Sequence, residues 1–471
     1  MKPWGALRAT AAVLAGAGLV WGATQATGTA DTTRRSDVRA ASADTTSGRV
    51  TEMSLACTGA DLDGSIEVAS APAGWMPKPA ADGTVRVQGA TTGPLELRHG
   101  AAAAAKLPSG VTGTVTASGG LASGLVAGQL QLDQRSTSRG LTLSNCSAPV
   151  QSGWFFGGGD QKGRVARLVL TNPAATPTTV DASVLGADGV DTSASVAGTV
   201  LAPGQRKVLT LGDFGPALAA AAVHVTASGA GVVASLTDAW MTGETPVGES
   251  TSSNAMDAAQ NIVIPAVSAS QAAPVVRLAV PGSEQAIVRT RAISTSGAVA
   301  ADRVTTVAGE TTSAIDLTGL AVGSYAVEVT ADVPVVAAVM SRTGTTGTTD
   351  LSWSTEAPLL KHPAGIALPS GVPGGSATLM LTADTASRVE VVTTTSSGDT
   401  HSKTVVVPVG RAVTTGVDDA RAVWLRPVGG GAVYAAVTVT GRDASGDFLA
   451  ALPVQPVTLS QATSRLVPAR G

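Results

Sequence analysis

The chain runs to 471 residues, with 31 Lys+Arg against 34 Asp+Glu for a net charge of −3, and with only 14% charged and 3% aromatic residues. At about 150 residues per domain this length predicts three or four domains, and a hydrophobic content of 44% is too high for global disorder. No basic block marks a nucleic-acid surface, and no apolar run after residue 30 reaches the roughly 18 residues of a further membrane span, which excludes nucleic acid as a partner and a multi-span transporter.

Lys2 and Arg8 precede an uncharged stretch over 9–30, whose most apolar part, 11–23, has the length of a signal-peptide core. Gly28-Thr29-Ala30 offers small residues for cleavage, whereas Trp21 suits an interfacial anchor, so residues 1–30 read as a signal peptide or a membrane-anchor helix. Either way the positive-inside bias puts the rest of the chain outside the cell, secreted or anchored to the cytoplasmic membrane and facing outward. The Ser-, Thr-, Asp- and Arg-rich stretch over 31–49 reads as a flexible linker.

The only cysteines, Cys57 and Cys146, predict a disulfide in an exported chain. Closing so long a loop stabilises by about 4 kcal/mol in the chain-entropy picture. The bridge marks out a disulfide-pinned β domain over 50–150, in which only 101–106 reads as a turn of helix. Within it Asp61, Asp63, Ser65 and Glu67 alternate around a turn, the oxygen-rich spacing of a weak calcium site or of an acidic β-turn in solvent. Asn145-Cys146-Ser147 has the form of a glycosylation acceptor, which a bridged Cys146 opposes sterically.

Trp154, Phe155 and Phe156, followed by three glycines, form the densest aromatic cluster. Exposed, they could stack on sugar rings; buried, they would staple the disulfide domain to the next one, and their place at that boundary favours the staple. The glycines of Gly158-Gly159-Asp160-Gln161-Lys162-Gly163-Arg164 are spaced like a phosphate loop, but Arg stands where Lys is required and no helix follows.

From here the chain repeats. Ala222–Leu236 aligns without gaps on Tyr325–Val339, sharing Val-x-Val-Thr-Ala and then Val-Val-Ala, with a weaker copy ending at Val433–Val437. Arg167–Leu170, Arg277–Val280 and Thr378–Leu381 correspond, as do the segments that run into Gly189, Gly297 and Gly398. The units span 151–260, 261–361 and 362–460, with a tail over 461–471. Inside each the apolar period is two, as in Val180, Ala182 and Val184. Strands are predicted in the first unit near 164–171, 179–186, 196–201, 206–211, 221–227, 231–238 and 261–264. Seven strands in about 100 residues point to an all-β fold of tandem immunoglobulin-like β-sandwich repeats following the N-terminal export or anchor helix.

No nucleophile elbow, zinc-protease motif or P-loop is present, and His99, His224, His362 and His401 stand in unrelated neighbourhoods. The exported N-terminus, Trp154-Phe-Phe-Gly-Gly158, Arg167-Leu-Val-Leu-Thr-Asn-Pro173, Leu201-Ala-Pro-Gly204 and Ala222-Val-His-Val-Thr226 resemble a family of uncharacterised secreted or single-pass envelope proteins from high-GC Gram-positive bacteria, over roughly 50–455. The resemblance implies a domain of unknown function and brings no catalytic residue with it. The expected role is therefore a non-enzymatic extracytoplasmic envelope protein without a cofactor, a scaffold, spacer or protein-interaction module whose partner is another envelope protein. A protein that binds cell-wall glycans is the alternative and a secreted hydrolase a distant third.

Overall fold

The computed structural model describes residues 43–76, 82–159, 161–214 and 220–466. The helix expected over 1–30 and the linker over 31–42 lie outside them. The rest of that linker, Ala43–Arg49, is a strand that pairs with Ser460–Leu466 in a two-stranded sheet, where a flexible tether was expected.

The described chain is all-β and antiparallel, with no α-helix and three short 3-10 turns at Ala73–Trp75, Gly120–Ala122 and Leu211–Phe214. The helical turn expected over 101–106 is instead the strand Ala102–Leu107, paired with Gly64–Ser70. Alanine favours helix in isolation, but here Ala105 and Leu107 alternate into the core beneath Ile66, and burial on a pleated face overrides local propensity.

Four hydrophobic cores follow one another along the chain. The first is built around Ile66, Val68, Val115 and the cystine, between a three-stranded sheet containing Glu52–Cys57 and a four-stranded sheet ending in Arg139–Asn145. The second packs Leu168, Leu170 and Leu236 of one four-stranded sheet against Val180, Val184 and Val223 of another. The third and fourth gather around Val276, Val288 and Val327, and around Leu379, Val391 and Phe448.

The internal repeat seen in sequence is a repeat of strand pairing. Arg164–Thr171 pairs with Val233–Thr242, Val275–Ala279 with Gly323–Arg342, and Ser376–Thr382 with Tyr434–Asp443. In the other sheet Thr178–Gly186 pairs with Ala222–Ala227, Ala286–Ser294 with Gly323–Arg342, and Ser387–Thr395 with Ala420–Gly430. Gly189, Gly297 and Gly398 sit at the equivalent hairpins with φ of 118°, 87° and 87°, a region glycine enters without steric cost. In the middle unit a single strand of 20 residues, Gly323–Arg342, serves both sheets where its neighbours use two strands and a turn.

Two strands of the first unit differ from expectation. Residues 261–264 lie within Ala259–Ala269, which pairs with Gly323–Arg342 and so belongs to the second unit; its register shifts at Pro265-Ala266, where Ala266 has φ 63°. Proline has no N–H to give a ladder and is tolerated at such a bulge. The first unit is completed instead by Ser152–Phe156 and Thr245–Ser252. The latter, Thr-Pro-Val-Gly-Glu-Ser-Thr-Ser, is too polar to read as a buried strand.

Nor do the units form an open row. Residues 49–461 are one compact unit, because one outer strand from the disulfide domain and one from each repeat, Arg139–Asn145, Thr245–Ser252, Leu351–Thr355 and Gly446–Pro453, pack in a closed cycle. Each would otherwise expose unpaired backbone groups as a sheet edge. Close approach needs bare backbone: a Cβ on Gly140 would stand 2.4 Å from the Glu249 carbonyl oxygen, and one on Gly248 2.4 Å from Leu351 N.

Candidate functional site

The centre of this four-strand axis is Asp350, fully buried at the start of Leu351–Thr355. Its Oδ2 accepts the N–H groups of Leu141 and Leu449, each at 3.0 Å, and its Oδ1 those of Leu351 at 2.8 Å and Glu249 at 3.3 Å. One carboxylate thus satisfies an edge amide from each of the four strands. Burial pushes its carboxyl well above the usual carboxylate range, while the four amides pull the other way. Among the described residues the carboxyl oxygens meet only N–H donors, which offset part of the cost of burying the group.

Charged side chains converge on the same interfaces. Arg139, itself buried, stacks over the Phe448 ring at 3.8 Å and donates to Asp443 Oδ1 at 2.8 Å and to the Gly446 carbonyl at 2.8 Å. Between the first two repeats Asp238, fully buried, accepts from Arg164 Nε at 2.9 Å and from Trp353 Nε1 at 2.8 Å. Burial raises the Asp238 carboxyl, but the Arg164 charge and these hydrogen bonds prevail and hold it below its ordinary value. Arg277 lies over Trp353 at 4.8 Å and donates to the carbonyls of Gly157, Gly158 and Ala221. Gly158, which opens the segment spaced like a phosphate loop, therefore turns its carbonyl oxygen toward an arginine, the wrong polarity for an anion cradle.

Cys57 and Cys146 are bonded, with Cα atoms 4.5 Å apart, and tie the end of Glu52–Cys57 in one sheet to the end of Arg139–Asn145 in the other. Asn145 donates through Nδ2 to the Pro453 carbonyl at 2.9 Å, which commits its amide to an interface.

The four oxygen-bearing residues considered for calcium face different partners. Asp61 pairs with Arg206 at 2.8 Å and with Arg167 at 3.1 Å, and Asp63 accepts the Ser109 N–H at 2.9 Å. Ser65 donates to Glu67 at 2.9 Å, and Glu67 is buried against Arg421 at 3.0 Å and Ser370 at 3.1 Å, linking the disulfide domain to the third repeat. Burial raises the Glu67 carboxyl despite Arg421. Among the described residues no cluster of three or more His, Cys, Asp or Glu is placed to hold a metal ion.

Trp154, Phe155 and Phe156 are all buried on Ser152–Phe156. Phe155 enters the core of the first repeat, and Phe156 packs near Trp353 in a cluster with Ala279, Val336 and Met340 of the second. Trp154 stacks on its cross-strand partner His224 at 4.4 Å, and Ser152 Oγ lies 2.9 Å from His224 Nε2. Burial lowers the His224 pKa, against the nearby charge of Asp257. The cluster is a staple, but it joins the first repeat to the second rather than to the disulfide domain, and no ring face is left open for a sugar.

A cavity of about 420 Å³ lies where the disulfide domain, the first repeat and the chain on either side of the third repeat meet. Leu55, Val150, Val233 and Met256 supply apolar wall, and Thr58, Asn145, Ser253 and Gln455 supply polar groups. Among the described residues that line it Glu356 is the only charged one, with a carboxyl that burial pushes up to about 7.

Neither Asp350, Asp238 nor Glu356 was singled out from the sequence. The one local sign is an acidic residue set directly against an apolar or aromatic run, as in Asp350-Leu-Ser-Trp353, and Asp447-Phe-Leu449 carries the same sign without being buried.

Comparison with known proteins adds little about function. No curated protein matches the chain. It is slightly similar to the crystal structure of Thermotoga maritima 1070, at 14% identity over 21% of this chain and 95% of that one with a TM-score of 0.20. It is also similar to a tetra-tandem repeat in the extending region of a large adhesion protein, at 13% identity over 88% and 95% of the two chains with a TM-score of 0.11. Likenesses this slight carry no argument about fold or role. Residues 101–418 match a family of unknown function, and the chain accordingly belongs to the DUF5719 family.

Proposed function

We propose that this chain is a non-enzymatic extracytoplasmic protein of the cell envelope, secreted or anchored facing outward, whose immunoglobulin-like β modules form a rigid scaffold for another envelope protein. The envelope of a high-GC Gram-positive bacterium is the setting that fits the resemblance noted in the sequence. The observation that carries the reading is the axis at Asp350, where one fully buried carboxyl group holds four strands together through their backbone amides. Asp238 and Arg139 act in the same way at neighbouring interfaces. The buried cystine supports an oxidising compartment. Burial of Trp154, Phe155 and Phe156 counts against stacking on cell-wall glycan.

The test is photo-crosslinking in intact cells, with probes on the exposed Val304 and Val406, beside sedimentation of the purified chain with insoluble cell wall. A scaffold gives one reproducible protein adduct and stays in the supernatant. Retention by the wall, without an adduct, would replace this reading with glycan binding.

A further inference from the structure

The cavity bounded by Thr58, Asn145, Ser253, Met256, Glu356 and Gln455 has features that holding the domains together does not require. Its volume, about 420 Å³, falls within the roughly 300–1,000 Å³ of small-molecule sites, and its wall combines apolar side chains with a few polar ones. Ser253 Oγ is buried there without a hydrogen-bond partner. Buried hydroxyls are ordinarily satisfied, so this one marks the wall as incompletely paired.

Charge decides what kind of ligand. No Lys, Arg or His lines the cavity, and Glu356 has no hydrogen bond or ion pair among the described residues. Its surroundings are negative as well. Tyr434, from the third repeat, donates its hydroxyl to Asp384 at 3.2 Å and has its pKa pushed up to about 12, first by burial and then by the charges of Asp384, Glu356 and Glu328. A carboxylate in a partly desolvated, cation-free wall is costly unless something brings the opposite charge.

We propose that this cavity is a binding site for a small organic ammonium, an apolar body carrying one protonated amine, with Glu356 as the counter-ion and Leu55, Val150, Val233 and Met256 around the body. An anion would face Glu356 with no cation to offset it. A neutral alcohol of the same length would fill the apolar part and leave the carboxylate unpaired.

The test is calorimetric titration of the full-length chain at pH 8 with hexylammonium chloride, hexan-1-ol and sodium hexanoate as probes, repeated on Glu356→Gln. Hexylammonium is expected to bind at least about tenfold more tightly than hexanol, the difference a charge-assisted contact makes, and hexanoate not at all. Glu356→Gln should bring hexylammonium down to the level of hexanol and leave hexanol unchanged, which also establishes that the variant's cavity is intact. Equal binding of all three probes, binding by none, or an unchanged preference for hexylammonium in the variant would overturn the assignment.

Discussion

Asp350 accepts the backbone N–H of Leu141 at 3.0 Å across 209 positions of sequence, and through the same Oδ2 atom it accepts that of Leu449. The contact joins the disulfide domain to the second and third repeats with no side chain but the aspartate. Buried amides without an acceptor cost about 1–3 kcal/mol each, so the value of Asp350 lies mainly in what its removal would strand. Asp350→Ala is expected to lower the unfolding free energy by about 4 kcal/mol or more. Asp350→Asn keeps the shape but points an NH2 group at two amides whichever way it is turned, and should lose about half as much. Chemical denaturation of both variants checks the order; equal losses would mean that the amides find other acceptors.

Cys57→Ala with Cys146→Ala removes the link between the two sheets of the first core. Loop-closure entropy predicts a loss of about 4 kcal/mol. The transition should then be the same with and without reductant, whereas reductant lowers the wild-type midpoint. Limited proteolysis followed by mass spectrometry should find the first new cuts between residues 50 and 150.

Trp154→Ala empties part of a packed cross-strand pair and should cost about 3–5 kcal/mol in a denaturant titration. Because the ring is buried against His224 and not presented to solvent, the same change should leave any retention on glycan unaltered at temperatures where the variant remains folded.

Glu356 carries a pH dependence with a definite sign. Its carboxyl titrates near 7 in the folded chain because of burial, against an ordinary value of 4.5, so between those pH values the folded state holds a proton that the unfolded state has released. Its contribution therefore makes stability fall as pH rises through that window, by up to about 3 kcal/mol. Subtracting the pH–stability curve of Glu356→Gln from that of the wild type isolates the effect from Glu67, Glu249 and Asp350, whose carboxyls are also raised by burial. A flat difference curve would contradict the burial of Glu356.

The β class, the bridge between Cys57 and Cys146 and the correspondence of Arg167–Leu170, Arg277–Val280 and Thr378–Leu381 were legible because period-two alternation, cysteine parity and internal similarity are properties of local strings. Ala102–Leu107 misled because alanine carries a helical preference and no pattern strong enough to reveal the sheet. Thr245–Ser252 was hidden for a different reason: beyond its hairpin partner Val233–Thr242, its burial comes from Arg139–Asn145 and Leu351–Thr355, both distant in sequence, and not from its own side chains. The same distance conceals Asp350, whose surroundings are supplied by Leu141, Glu249 and Leu449. The aromatic staple was recognised as such, but its destination could not be read, since Trp353 lies about two hundred residues further on.

The closed cycle of outer strands bears on how such a chain could have grown. Open tandem arrays lengthen by duplication, because each terminal unit offers a surface for the next. Here the four strands that would welcome a newcomer already occupy one another, and a further copy inserted by recombination would find no vacancy beside Asp350. Copy number in this lineage should thus be conserved where that aspartate is, with variation in length confined to hairpins that face away from it.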